Sequence, residues 1–279
     1  MDADEQKRAS AIARGLLAGW DVRTCAPLVG TKKRKFNQQQ LLLAHGLCAH
    51  VHYLAPAALD LLDSGRVLAA LPLVRACFES AITAQWLAQT TDGSPAFVNE
   101  DVRQRLAQVH TLEQAVSDVF REAAPSIAAN LPPILDTTAT ARGFHKICDD
   151  LVPGGADAYT IYRVLSQYSH ASIRVVDGYL QVVGTEPGVA LRTNPAEPSA
   201  ATWTNVLASC LVWAGRSNDY LDGHKTRRSE LRAAANALGI NSELHLSPTA
   251  LLREASASKQ AKPVAKEGLS KAKQGSATP

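Results

Sequence analysis

The chain is poor in the signatures that mark familiar enzymes. No G-x-x-x-x-G-K-[ST], G-x-G-x-x-G, G-x-S-x-G or H-E-x-x-H occurs in its 279 residues, which argues against P-loop, dinucleotide-binding, nucleophile-elbow and zincin chemistry. Aromatic residues make up only 5% while alanine and leucine abound, a bias toward helix over sheet. The five cysteines, Cys25, Cys48, Cys77, Cys148 and Cys210, are odd in number, widely spaced and form no C-x-x-C pair. That pattern excludes a disulfide framework and points to a reducing compartment. No stretch approaches eighteen uninterrupted apolar residues, and MDADEQKRAS lacks the apolar run of a signal peptide, so the expectation is a soluble cytoplasmic protein with no membrane partner.

What is present is an ordinary globular composition, 46% hydrophobic and 20% charged, with a formal net charge of +3. The charge is unevenly placed. From Arg253 onward six basic residues face two acidic ones, which leaves the rest of the chain with 23 basic against 24 acidic. The folded part is therefore nearly neutral, and global charge says little about a nucleic-acid surface.

Apolar periodicity predicts a helix over 4–20, then a long one over 36–64 kinked at Pro56 or split there. The basic run TKKRK at 31–35 falls in the loop between them. A helix over 66–90 should kink or restart at Pro72, helical segments over 97–130 should break at Pro125, and a shorter helix is expected over 138–151. The next, over 156–183, has no interior breaker except Gly178, and 184–199 reads as a loop with a short extended piece. Helices from Ser199 or Thr202 to about Leu221, and over RRSELRAAANALG until Gly239, complete the pattern. No alternating run is convincing enough for a sheet. The fold class expected is all-α, a multi-helix bundle forming one domain over 1–240, followed over 241–279 by a short helix and a disordered basic tail rich in Lys and Ala.

On one continuous helix, residues seven apart differ by about 20° in direction, so Arg163 and His170 of YRVLSQYSHASIR would share a face two turns apart. The stripe would continue through Gln167, Arg174 and Asp177, with Ser166 and Ser169 beside it. A second polar pair, Arg75 and Glu79, lies four apart in the apolar phrase LVRACFESAITAQW and should be at least partly buried. These two polar lines are expected to meet.

R-A-C-F-E followed at a distance by Y-R-V-L-S-Q-Y-S-H resembles an uncharacterised bacterial group of all-helical proteins, similar in its helices to the HEPN superfamily. That superfamily is marked by an arginine and, four to six residues later, a histidine, and Arg163 and His170 fit with six intervening residues. The resemblance covers roughly 36–185. It implies a bacterial protein of stress, toxin or phage-defence type, RNA as substrate, a homodimer whose Arg/His helices share a cleft, and a protein partner or antitoxin. By the same resemblance Arg163 stabilises charge on a scissile phosphate and His170 is the acid or base in 2′-hydroxyl attack, with no metal or cofactor. Val164 stands where the family often has a polar residue. The alternative is a non-catalytic interaction or regulatory module in which Arg75, Glu79, Arg163 and His170 are structural.

Other candidates have simpler readings. His45, Cys48 and His52 fall on one side of a helix at zinc-like steps, with His50 pointing elsewhere, but no fourth ligand has recognisable spacing, so a partly buried helix is favoured. Trp20, Trp86, Trp203 and Trp213 sit in apolar helical patterns and read as core. Cys77 reads as packing.

Overall fold

The computed structural model describes residues 3–21, 38–184, 188–222 and 226–256. The TKKRK run and the basic tail beyond Ser256 lie outside these residues. The order is α1 (Ala3–Asp21), α2 (Gln38–Asp63), α3 (Val67–Gln89), α4 (Gly93–Glu113), α5 (Asp118–Ala129), α6 (Phe144–Asp149), β1 (Leu151–Val152), α7 (Gly155–Ser169), α8 (Ile173–Asp177), β2 (Leu180–Val183), β3 (Gly188–Leu191), α9 (Ala200–Asp222), α10 (Arg228–Leu238) and β4 (His245–Leu246). A further helical segment spans 248–256. The fold is all-α, as the composition predicts.

Helix α3 is the axis of the bundle because its C-terminal half is enclosed on every side: every residue from Ala81 to Ala88 is buried. It packs against α2, α9 and α7, and α1 closes over α9. Phe78, Leu71, Ile82, Trp86 and Leu87 of α3 meet Leu59 and Leu62 of α2 and Leu207 and Leu211 of α9 in one core. Each such side chain, fully buried, contributes about 1.5–3 kcal/mol. Helices α2 and α3 are also long and apolar enough, by composition, to cross a membrane.

Several polar groups inside this core are matched. The Gln85 amide nitrogen donates to the Trp213 carbonyl and the Ser217 hydroxyl at 2.7 and 2.9 Å, and its oxygen accepts the Leu244 N–H. Trp86 Nε1 donates to Asp150 Oδ2 at 3.0 Å, and Arg253 donates to the same oxygen at 2.6 Å, which ties the 248–256 segment to the body. Leu244, Leu246 and Ala250 join the core beside β4, which pairs antiparallel with β1.

One proline behaves differently from expectation, since no break falls at Pro125, which lies inside α5; Pro56 and Pro72 lie inside α2 and α3 without splitting or restarting them. Pro72 is exposed in the second turn of α3, where water can serve the carbonyl that loses its partner. The break in 97–130 falls instead at 114–117, and the helix expected over 138–151 shrinks to the six residues of α6. Two small two-stranded sheets also form. In the second, β2 and β3 pair antiparallel with Val182 opposite Val189, and β3 is the short extended piece expected within 184–199.

The largest correction concerns 156–183, which is not one helix. Helix α7 ends at Ser169, His170 is extended (φ −125°, ψ 158°), and α8 and β2 follow as separate elements. Serines crowd the end of α7. Ser166 and Ser169 turn their hydroxyls onto the Tyr162 and Leu165 carbonyls, and Ser172 donates to the Gln167 carbonyl at the helix end. The stripe predicted through Arg163, His170, Arg174 and Asp177 is therefore not a helical face.

Candidate functional site

The entry into α7 sets the site's geometry. Gly154 takes a left-handed conformation (φ +95°), and at Gly155 a Cβ would overlap the Cys148 carbonyl oxygen, so the chain passes tightly over α6 before turning into α7. Leu165 and Ala158 then anchor α7 in the core against α3. This leaves Tyr159, Tyr162, Arg163 and Ser166 along the side of α7 that borders a cleft of about 380 Å³.

Arg75, from the middle of α3, closes the floor of that cleft. Its Nη1 donates to His170 Nε2 at 3.1 Å, its Nη2 donates to the Tyr162 hydroxyl at 3.1 Å, and its guanidinium lies 5.1 Å from the Tyr162 ring centre. A guanidinium only donates, so Nε2 of His170 is the accepting nitrogen and Nδ1 carries the proton. The Nε of Arg75 is buried with no partner among the described residues. Its own helix supplies a loose counter-charge, with Glu79 Oε2 3.8 Å from Nη2. Burial raises the Glu79 carboxyl above its ordinary range, and Arg75 pulls it back in part.

The two polar lines expected from the sequence do meet, through Arg75 rather than through a shared helical stripe. Arg163 and His170 both line the cleft, the first from α7 and the second from the extended residue after it. Arg163 is exposed and makes no hydrogen bond or ion pair with a described residue. Ser166 borders the cleft, Ser169 spends its hydroxyl on the helix, and the exposed Gln167 side chain takes no part.

Sequence reasoning missed His145, Tyr159 and Tyr162. His145 is exposed at the start of α6, its ring 6.0 Å from that of Tyr159, and Phe144 packs on Tyr162 at 4.5 Å. No spacing rule links 145 to 163 or 170. The cleft thus collects Arg75, Arg163, His145 and His170 with hydroxyls from Tyr159 and Tyr162, and among the described residues no carboxylate lines it. Such a set suits an anion with several oxygens: guanidinium groups clamp oxygens in pairs, and imidazoles relay protons.

The other candidates resolve as packing. Cys48 is fully buried, donates to the Ala214 carbonyl, and burial pushes its thiol up to about 12, which disfavours the thiolate a metal needs. His52 stacks on Trp20 and donates through Nδ1 to the Cys48 carbonyl, while His45 pairs with Asn218. Among the described residues no group of three or more His, Cys, Asp or Glu side chains is placed to hold a metal. Trp20, Trp86 and Trp203 are buried and Trp213 packs against the core. Burial likewise pushes the Cys77 thiol up to about 12.

Comparison with curated proteins gave no match, and neither did comparison with solved structures. One family model matches residues 41–187, more than half of the chain, from α2 through β2, and its description is "Family of unknown function (DUF5677)".

Proposed function

The chain belongs to this family of unknown function (DUF5677), and on that premise we propose that it is a HEPN-like bacterial protein whose cleft binds an RNA phosphodiester and cleaves it without a metal. The observation that carries the reading is the convergence of Arg75, Arg163, His145 and His170 on one cleft that no carboxylate of the described residues lines. Arg163, exposed and unengaged, clamps the non-bridging oxygens. An arriving phosphate also competes for the Arg75 guanidinium, which frees His170 Nε2 to act as a base.

The step then balances without a co-reactant. One imidazole takes the proton of the 2′-hydroxyl as the O2′–P bond forms. The P–O5′ bond breaks, and the other imidazole, in its protonated form, gives a proton to the leaving oxygen. Products are a 2′,3′-cyclic phosphate and a 5′-hydroxyl. Charge building on the phosphorane is held by the two guanidinium groups. Placing a single 2′-deoxynucleotide at the cleavage position of an RNA substrate tests this. Loss of cleavage there alone supports it, and unchanged cleavage refutes it.

A homodimer fits the same reading. The α8 and β2–β3 region that follows His170 exposes Ile173, Val176, Val182, Val189 and Leu191. The solution mass tests the dimer directly.

A second reading rests on Arg75 itself. Its side chain is 21% exposed, and it is tied to Tyr162 and His170, as structural networks are. In that reading the protein is a non-catalytic interaction or regulatory module, and removing His170 lowers stability by about 1–3 kcal/mol because Arg75 loses a partner.

A further inference from the structure

A second cavity, of about 660 Å³, adjoins the basic cleft and shares Gly143, Phe144 and Tyr162 with it as common walls. Its chemistry is opposite. Phe97, Phe144 and Tyr162 give it flat apolar sides, and Glu79, Glu100 and Asp101 bring carboxylates. Glu100 is engaged by Arg103 and Gln104, and Asp101 by Arg105 at 2.9 Å, all on their own helix. Glu79 differs. No described residue donates a hydrogen bond to either of its oxygens, and Arg75, one turn earlier on α3, stays 3.8 Å away. Arg75 lines the basic cleft and Glu79 lines its neighbour, so the two cavities meet across one helical turn.

We propose that this second cavity receives the base of the nucleotide whose phosphate occupies the basic cleft, and that Glu79 selects guanine. The inference rests on the ribonuclease reading above, since it takes its phosphate from that site. Phosphate and base of one nucleotide are joined through a ribose, so a base site must open beside the phosphate site, as this one does. Aromatic side chains hold a base by stacking, whatever its identity. Identity is read at the edge. Guanine alone among the four RNA bases presents two adjacent N–H donors, N1–H and N2–H, which match the two oxygens of one carboxylate. Adenine and cytosine set one amino group beside a ring nitrogen that only accepts, and uracil sets its N–H between two carbonyls. Each of these brings a lone pair against the carboxylate, which selects against it.

The test is calorimetric binding of 3′-GMP, 3′-AMP, 3′-CMP and 3′-UMP to the full chain, to Glu79→Gln and to Arg163→Ala, with RNA cleavage assayed in parallel. Wild type should bind 3′-GMP roughly tenfold or more tighter than the other three, the scale of one good bidentate contact. The ratio should fall to near one in Glu79→Gln, while Arg163→Ala weakens all four and keeps the ratio. Inosine 3′-monophosphate, which lacks only the N2 amino group, should lose most of the preference on the wild-type protein, so the inference remains testable if Glu79→Gln does not fold. Equal affinities, a preference that survives Glu79→Gln, inosine binding as well as guanosine, or no binding of any nucleotide would each overturn the guanine site. A Glu79-dependent guanine preference without RNA cleavage would uphold the site and overturn the ribonuclease reading instead.

Discussion

His52 provides a quantitative check on the packing between α1 and α2. The residue is 5% exposed, its ring lies 4.0 Å from that of Trp20, and its Nε2 is buried without a hydrogen-bond partner among the described residues. Burial lowers its pKa to about 4. The hydrogen bond to the Cys48 carbonyl opposes that shift, and Arg227 and His45 add to it. In the unfolded chain the ring titrates near its ordinary value of about 6.5. Above that pH the ring is neutral in both states and its burial carries no proton penalty. As the pH falls from about 6.5 toward 4, the unfolded chain binds a proton that the folded chain refuses, and stability declines. A gap of about 2.5 pH units corresponds to about 3 kcal/mol when the loss is complete. Urea unfolding of wild type and His52→Gln, run in parallel from about pH 7.5 to about pH 4.5, isolates this group because other titrations cancel in the difference. The wild type should lose about 2.5 kcal/mol relative to the variant across that range. A difference that stays constant with pH would refute the buried, neutral imidazole.

Gly155→Ala should cost about 3 kcal/mol or more, read by chemical denaturation, because its Cβ would overlap the Cys148 carbonyl and neither backbone can yield. Asp150→Ala should cost about 2–4 kcal/mol by the same measurement, since it strands the Trp86 indole N–H and the Arg253 guanidinium together. His170→Ala, at an exposed position, should change the unfolding free energy by less than about 1 kcal/mol and yet abolish cleavage. A loss of stability as large as the structural-network reading requires, with no activity in the wild type to lose, would decide for that reading.

The bundle was legible because its strongest signals were strong: α3 is densely apolar around its few polar residues, and Gly239, in a left-handed conformation (φ +70°), stops α10 where the sequence places it. Pro125 misled, since a proline on an exposed face removes only a bond that water replaces. The end of α7 misled in the other direction. Ser166, Ser169 and Ser172 recur every three residues around His170, and α7 ends among them without any glycine or proline. At the site, Arg75, Arg163 and His170 were found because each stood out against apolar neighbours. His145 was invisible because the chain reaches the cleft there from a separate short helix, and only the tertiary fold brings it to Tyr159. Glu79 was recognised as Arg75's partner, but its position between two cavities follows from helix packing and not from spacing.

The most direct test of the central claim is cleavage of a mixed structured RNA by the purified protein in EDTA, beside His170→Ala and Arg163→Ala variants shown by their melting to be folded. Cleavage by the wild type, lost in both variants and yielding 2′,3′-cyclic phosphate ends, is the predicted result. Absence of cleavage by the wild type across salt and pH, or cleavage that survives in either variant, would contradict it.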